Sequence, residues 1–365
     1  MAGSLEGGDI NNVILDPKGY HYDVYFMKLF SIIPNPELDP TGFAQLFKAE
    51  LLKLGYIESQ RIEIAQIIFA FEHPRRFSQD LKNLRRSRGL KVLLRFEPAA
   101  VNPIIYQSRT LSCYDRVLSV GGVNHIGSPQ GVLRWPYFSH PNPAKPNRET
   151  IHDSSMLAQS MDSGFEKRTH RVTLIVSNKV SWSRPSNYDL RRRLVLNSCE
   201  LGISAFGMGW QDNRGTRFLK NFRLFLFFIS QGSWLDPRHT IENLRFSRQK
   251  NVPPIEDKFD IIRNSKFHLV VENSSTYVSE KLLDAFVSGA IPIYIGPALE
   301  QYKIPENCVI TPARGLEGVV QVLHKLDEID IATYRSNIKN FLSSKEGLGA
   351  WDPSTVAQSI IGKCQ

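Results

Sequence analysis

Residues 267–297, FHLVVENSSTYVSEKLLDAFVSGAIPIYIGP, constrain the fold of this 365-residue chain more than any other stretch. An apolar run ends in Glu272-Asn273-Ser274, a short polar loop follows, and Ser279-Glu280-Lys281 opens a helical pattern that Gly289 closes. A second apolar run, residues 291–295, stops at Gly296-Pro297. Parallel strands need a crossover, and the spacing supplies one, so the stretch predicts a βαβ unit. Ligands of open α/β sheets collect at the carboxyl ends of such strands. Residues 272–281 are therefore the first place to seek a site.

The chemistry of that corner suits an anion. The first turn of a helix presents unpaired N–H groups and the positive end of the helix dipole, and Lys281 adds a mobile cation there. A diphosphate fits. Glu280 would oppose a phosphate but accepts hydrogen bonds from ribose hydroxyls, so the pair together suggests a nucleotide. An acidic first turn also serves helix stability alone, and spacing by itself leaves both readings open.

The stretch resembles the donor-binding signature of the α1,3-fucosyltransferases, glycosyltransferase family 10. The pattern stands here as Val271-Glu272-Asn273-Ser274, Tyr277-Val278-Ser279-Glu280-Lys281, Ile291-Pro292-Ile293 and Gly296-Pro297. Val271 departs from it, since the family usually has Phe there. Upstream, residues 171–178 (RVTLIVSN) read as a buried strand ending in Ser177-Asn178, with Arg184 before a helical run over 188–198. The resemblance implies that Arg184 contacts the donor pyrophosphate, a task that suits the two-pronged guanidinium. Arg191, Arg192 and Arg193 fall in a basic run of that helix and read as solvated.

Residues 91–97 (KVLLRFE) predict a strand ending in Glu97-Pro98, similar to the position where the family places its presumed general base. Inverting transfer needs a group to accept the proton of the attacking hydroxyl. On its own, Glu97 reads better as a strand-end surface carboxylate, and the neighbouring matches favour the base. Tyr114-Asp115-Arg116-Val117-Leu118 and Leu133-Arg134-Trp135-Pro136-Tyr137 resemble further family segments.

The resemblance implies a GT-B architecture, an α/β fold of two Rossmann-like, doubly wound domains facing across a cleft. It implies transfer of fucose from GDP-fucose to a hydroxyl of an acceptor glycan with inversion, in protein glycosylation or lipopolysaccharide assembly. A related enzyme using another GDP-sugar is the alternative. Catalysis falls to Glu97 as base and Glu272, which would stabilise positive charge developing on the donor sugar. Donor binding falls to Asn178, Arg184, Asn273, Ser274, Tyr277, Glu280 and Lys281. No cofactor is expected, and no divalent metal is essential, because cations and a helix terminus neutralise the leaving group.

Length predicts two domains, and 42% hydrophobic with 22% charged residues is ordinary for a globular protein. The expected divisions are 1–150 for the acceptor, 151–170 between domains, 171–340 for the nucleotide sugar, and a helical tail over 341–365. The net charge of +9 admits nucleic acid, an anionic membrane or an anionic substrate. A basic nucleic-acid-binding protein is the rival from another class. It leaves the motif matches unexplained, and neither zinc-finger spacing nor a basic-aromatic repeat is present, so no nucleic-acid partner is expected.

The densest basic stretch, residues 75–91, places Phe77, Leu81 and Leu84 at helical spacing, which predicts a helix packed on one face and solvated on the other. The four cysteines lack CxxC spacing and favour a reducing compartment. The apolar run 222–229 (FRLFLFFI) is too short to span a membrane and predicts a buried strand within an insertion over 208–255. The expectation is a soluble, cytoplasmic protein of bacterial or viral type, without the N-terminal anchor of Golgi members and with peripheral membrane contact.

Overall fold

A computed structural model describes residues 28–34, 42–120, 134, 164–179, 181, 186–212, 214–230, 251–255 and 257–364. The first sheet contains β1 (Leu29–Ile33), β2 (Ile57–Glu58), β3 (Ile67–Ala70), β4 (Leu90–Arg95) and β5 (Arg116–Ser119). Their order is β2-β1-β3-β4-β5, every neighbouring pair parallel. The strands are apolar on both faces, as a sheet covered on both sides requires. Phe69, Val92 and Leu94 pack with α1 (Phe43–Lys53), whose Phe43, Phe47 and Leu51 recur at one-turn spacing. Ile68, Ala70 and Leu93 alternate with them and pack against Leu81 and Leu84 of α2 (Gln79–Arg86). Phe77 is not on that packed face. It precedes the helix, which Ser78 caps by accepting from the Leu81 N–H, and stands 79% exposed. A short helix, α3 (Ser108–Leu111), leads into β5.

The second sheet contains β6 (His170–Ile175), β7 (Ile203–Phe206), β8 (Ser265–Val271) and β9 (Ile291–Ile295) in the order β7-β6-β8-β9, again all parallel. Leu190 and Leu194 of α4 (Tyr188–Leu196) cover one face. The chain then forms α5 (Arg214–Ser230) and α6 (Lys258–Arg263) before β8. Leu282, Leu283 and Phe286 of α7 (Glu280–Val287) cover the opposite face, while α8 (Gly315–His324) joins α4 through Val319 and Leu323. Next, α9 (Ile331–Leu342) packs Ile338 and Phe341 against α7. Finally α10 (Pro353–Gly362) crosses back, burying Val356, Ala357, Ile360 and Ile361 in the first domain's core.

The expected strand over 222–229 lies instead within α5, and Phe218, Leu219, Phe222, Leu226 and Ile229 of that helix are exposed. A short apolar run does not distinguish strand from helix by periodicity. The helical register begins at Arg214, upstream of the apolar residues, and Phe and Leu carry it onward without a break. Among the described residues, no helix is long and apolar enough to cross a membrane.

Direct contacts join the domains. Tyr302 Oη donates to the Val120 carbonyl at 2.7 Å, Ser181 Oγ to the Ala100 carbonyl at 3.3 Å, and Gln358 Nε2 to Glu50 Oε2 at 3.0 Å.

Candidate active site between the domains

Side chains from both domains line a cleft of about 380 Å³ at the carboxyl ends of β4, β6 and β8. Glu97 and Val101 come from the first domain. Opposite them stand Lys179, Tyr188, Arg191, Lys258, Asn273, Tyr277, Glu280 and Lys281.

Ser279 organises the second-domain wall. It is the N-cap of α7, its backbone extended and its Oγ accepting from the Lys281 N–H. The same hydroxyl donates to Glu272 Oε2 at 2.7 Å, and the Ser279 N–H donates to Glu272 Oε1 at 2.9 Å. Glu272, expected beside the donor sugar, is fully buried and is not among the groups lining the cleft. Its two oxygens are occupied in pinning the loop to the start of α7. Burial pushes its carboxyl pKa up, against the pull of Lys281 and the two bonds from Ser279. Gly296 makes room for it, since a Cβ there would lie 2.2 Å from Tyr294 Oη and 2.9 Å from Glu272 Cγ.

Lys281 Nζ lies 2.8 Å from Ser279 Oγ, 3.3 Å from Glu280 Oε1 and 4.0 Å from Glu272 Oε2. Burial works to raise the Glu280 pKa, yet Lys281, Lys258 and a backbone N–H hold it down to about 2. Glu280 is therefore ionised and acts as an acceptor only. Asn273 donates through Nδ2 to Tyr277 Oη at 2.7 Å and accepts at Oδ1 from Arg191 Nη1 at 2.5 Å. Ser274 is buried, its hydroxyl 2.9 Å from Thr276 Oγ1.

Arg191 is not solvated. It is buried, donates through Nε to the Val271 carbonyl at 3.0 Å, and lies over the Tyr188 ring. Tyr188, Arg191 and Val195 are one or two turns apart and share the inward face of α4. That periodicity was available in the sequence, whereas the flanking charges suggested a surface. Asn178 lies beside the cleft rather than on it: its Nδ2 donates to the Gly209 carbonyl at 3.2 Å, securing the loop after β7. Arg184 lies outside the described residues.

Glu97 enters from the other domain. Tyr106 Oη donates to its carbonyl at 3.0 Å, but its buried Oε2 has no hydrogen-bond partner among the described residues. Burial and, next, the nearby Glu280 charge push its carboxyl up to about 7, while Lys281 and Lys179 oppose them. A carboxyl facing a cleft, with one buried and unoccupied acceptor oxygen and a pKa near neutrality, is equipped to take a proton.

Sequence reasoning missed Lys258, His268 and Asp284. Lys258 Nζ lies 2.5 Å from Asp284 Oδ2, and this attraction outweighs burial and raises the lysine pKa. Burial and Lys258 drive His268 down to about 3, so the imidazole is neutral beside Thr173 Oγ1 at 2.8 Å. Asp284 follows Glu280 by one helical turn, a signal present in the sequence; Lys258 reaches the site only through tertiary packing. Among the described residues, no cluster of three or more His, Cys, Asp or Glu is placed to hold a metal ion.

Two parallel-sheet α/β domains with strand ends facing a shared cleft have the arrangement of the GT-B fold. Within that class, the chain is similar to α1,3-fucosyltransferases. It is 36% identical over 69 residues to 4-galactosyl-N-acetylglucosaminide 3-alpha-L-fucosyltransferase 9 of Cricetulus griseus, a match spanning 18% of this chain and 18% of that relative's length. An α1,3-fucosyltransferase crystal structure with GDP aligns at TM-score 0.49 and 12% identity, covering 92% of this chain and 89% of that one. The structure with GDP-fucose aligns at TM-score 0.46 and 14% identity, covering 85% and 80%. Anabaena Alr3699/HepE in complex with UDP-glucose aligns at TM-score 0.48 and 11% identity, covering 92% and 98%. No protein-family model matches the chain.

Proposed function

We propose that this protein transfers fucose from GDP-fucose to a hydroxyl of an acceptor glycan, with inversion at the anomeric carbon. The observation that carries the reading is Glu97, a half-buried residue whose buried Oε2 has no hydrogen-bond partner among the described residues, facing the cationic corner at the start of α7. GDP lies in the second domain, its diphosphate against Lys281, Arg191 and the α7 N-terminus and its ribose hydroxyls on Glu280. The acceptor enters from the first domain. Its hydroxyl gives a proton to Glu97 while the oxygen forms a bond to the anomeric carbon; on the opposite face the carbon–oxygen bond to phosphate breaks, and GDP leaves with the electron pair. Lys281 and Arg191 stabilise the departing charge, so the reaction proceeds without an essential divalent ion. Glu272 acts at one remove by fixing the loop that bears Asn273 and Tyr277.

Exposed Phe218, Leu219, Phe222 and Leu226 beside Lys220 and Arg223 on α5 support peripheral contact with an anionic membrane surface. The deciding experiment compares thermal stabilisation by GDP, UDP, CDP and an oligonucleotide, because a ligand specific to the folded state raises the melting temperature. GDP alone should raise it, and GDP-fucose should then be consumed with an acceptor glycan. Stabilisation by the oligonucleotide alone would reject the transferase reading. Stabilisation by GDP with another GDP-sugar consumed would move the donor.

A further inference from the structure

A second concavity, of about 330 Å³, opens on the first domain between the β3–α2 loop and the segment that follows Glu97. Arg76, Lys82, Arg85 and Arg109 line it with His73, and no carboxylate does. Beneath the same face of the sheet, Arg95 is 1% exposed, lies over the Tyr106 ring at 4.3 Å, and has Nε and Nη1 without partners among the described residues. Lys82 and Arg85 are exposed here, and positive charge gathered in a concavity raises the local concentration of negatively charged ligands.

Two further observations tie the concavity to a ligand of the cleft. Residues 97–110 form a wall common to both: Glu97 and Val101 face the cleft, whereas Ile104, Arg109 and Thr110 face the basic concavity. The Phe77 ring at its rim is 79% exposed at a φ of 70°, a region that bulky side chains avoid. Strain of this kind persists where surroundings hold it and clusters at ligand clamps. An exposed ring beside cations offers an apolar face to a sugar and charge to its substituent.

We propose that this concavity binds an anionic group of the acceptor, a phosphate or sulfate ester or a carboxylate on the sugar chain, and that the protein therefore selects charged over neutral acceptors. The assignment rests on the transferase reading for the word acceptor, but not for the anion site itself. Guanidinium and ammonium groups make charge-assisted bonds to such oxyanions, and a volume of this size accepts one sugar residue.

The test is calorimetric titration of the full chain with glucose 6-phosphate, glucose and inorganic phosphate, each with and without GDP. Glucose 6-phosphate should bind at least about tenfold more tightly than glucose or phosphate, with the margin shrinking at high salt. The Lys82→Ala/Arg85→Ala double variant should lose that margin; both side chains are exposed, so the thermal midpoint should hold. Phe77→Gly, which suits the positive φ, should keep the midpoint and weaken both sugars. Equal binding of glucose and glucose 6-phosphate, or a margin that survives the double variant, would overturn the proposal. Phosphate binding as tightly as the sugar ester would mean a free-oxyanion site, and double-variant-sensitive binding to phosphatidylglycerol vesicles without a sugar preference would mean a lipid headgroup; either overturns it. Failure to bind GDP with the sugar-phosphate margin intact would count against the transferase reading instead.

Discussion

Glu97 and Glu280 face one cleft from opposite domains, yet their carboxyl groups are driven apart: Glu97 up to about 7, Glu280 down to about 2. Burial opposes charge at both. Lys281 and Lys258 overcome it at Glu280, while Glu97 has only the opposing pull of Lys281 and Lys179. Such a separation divides one pair of like groups into an ionised ligand and a proton acceptor.

Glu97→Gln keeps the shape of the side chain but does not take a proton. Turnover should fall by about 10²–10⁴ while GDP affinity is retained. In the wild type, the rate should rise with pH through about 7 as Glu97 ionises, and the variant should lack that limb. Near-normal turnover of the variant at saturating substrates would exclude Glu97 as the base.

The same shift affects folding. The folded chain keeps the Glu97 proton from its ordinary value of 4.5 up to about 7, where the unfolded chain has lost it, so Glu97 subtracts stability as pH rises through that window. Thermal midpoints of wild type and Glu97→Gln should diverge in the variant's favour between those pH values. A constant difference would contradict the buried setting of the carboxyl.

Lys281→Ala should weaken GDP binding by about 1.5–3 kcal/mol, the range for hydrogen bonds to charged groups. Calorimetry on the variant and on Arg184→Ala separates the two cations expected at the diphosphate. Unchanged affinity in both would place the nucleotide elsewhere.

Gly296→Ala puts a methyl group against Tyr294 Oη and Glu272 Cγ. Overpacking of this kind costs about 1–3 kcal/mol, and here it also disturbs the carboxylate that holds Ser279. Denaturant unfolding should report the loss, together with weaker GDP binding. An alanine variant with native stability would mean that this corner yields easily.

Chelation should leave turnover within a few-fold of its starting value if the diphosphate is held, as proposed, by Lys281, Arg191 and a helix terminus. Activity abolished by a chelator and restored by one particular divalent ion would refute that arrangement.

The unit from β8 to β9 was legible because its signals are local: strands bounded by polar loops, Ser279 at a helix start, Gly289 at its end. The strands of the first sheet at residues 29–33 and 116–119 carry little of this. Each is only a few residues long, and β5 is defined by its register with β4, Val92 opposite Arg116, which sequence spacing does not display. The site divides likewise. Lys281 follows from its place at a helix start and Glu97 from the family resemblance rather than its strand end alone, but the inward turn of Glu272 depends on Ser279, seven residues away, and Lys258 on the later Asp284.

The crossing of α10 back to α1 has a consequence for synthesis. A ribosome finishes β5 of the first domain more than two hundred residues before it reaches Val356 and Ile360, which complete that domain's core. At about 5–20 residues per second, the interval is on the order of ten to fifty seconds. Throughout it, Phe47 and Leu51 of α1 lack their final cover, so the earlier domain to emerge is exposed to chaperones and proteases until the later one has been made.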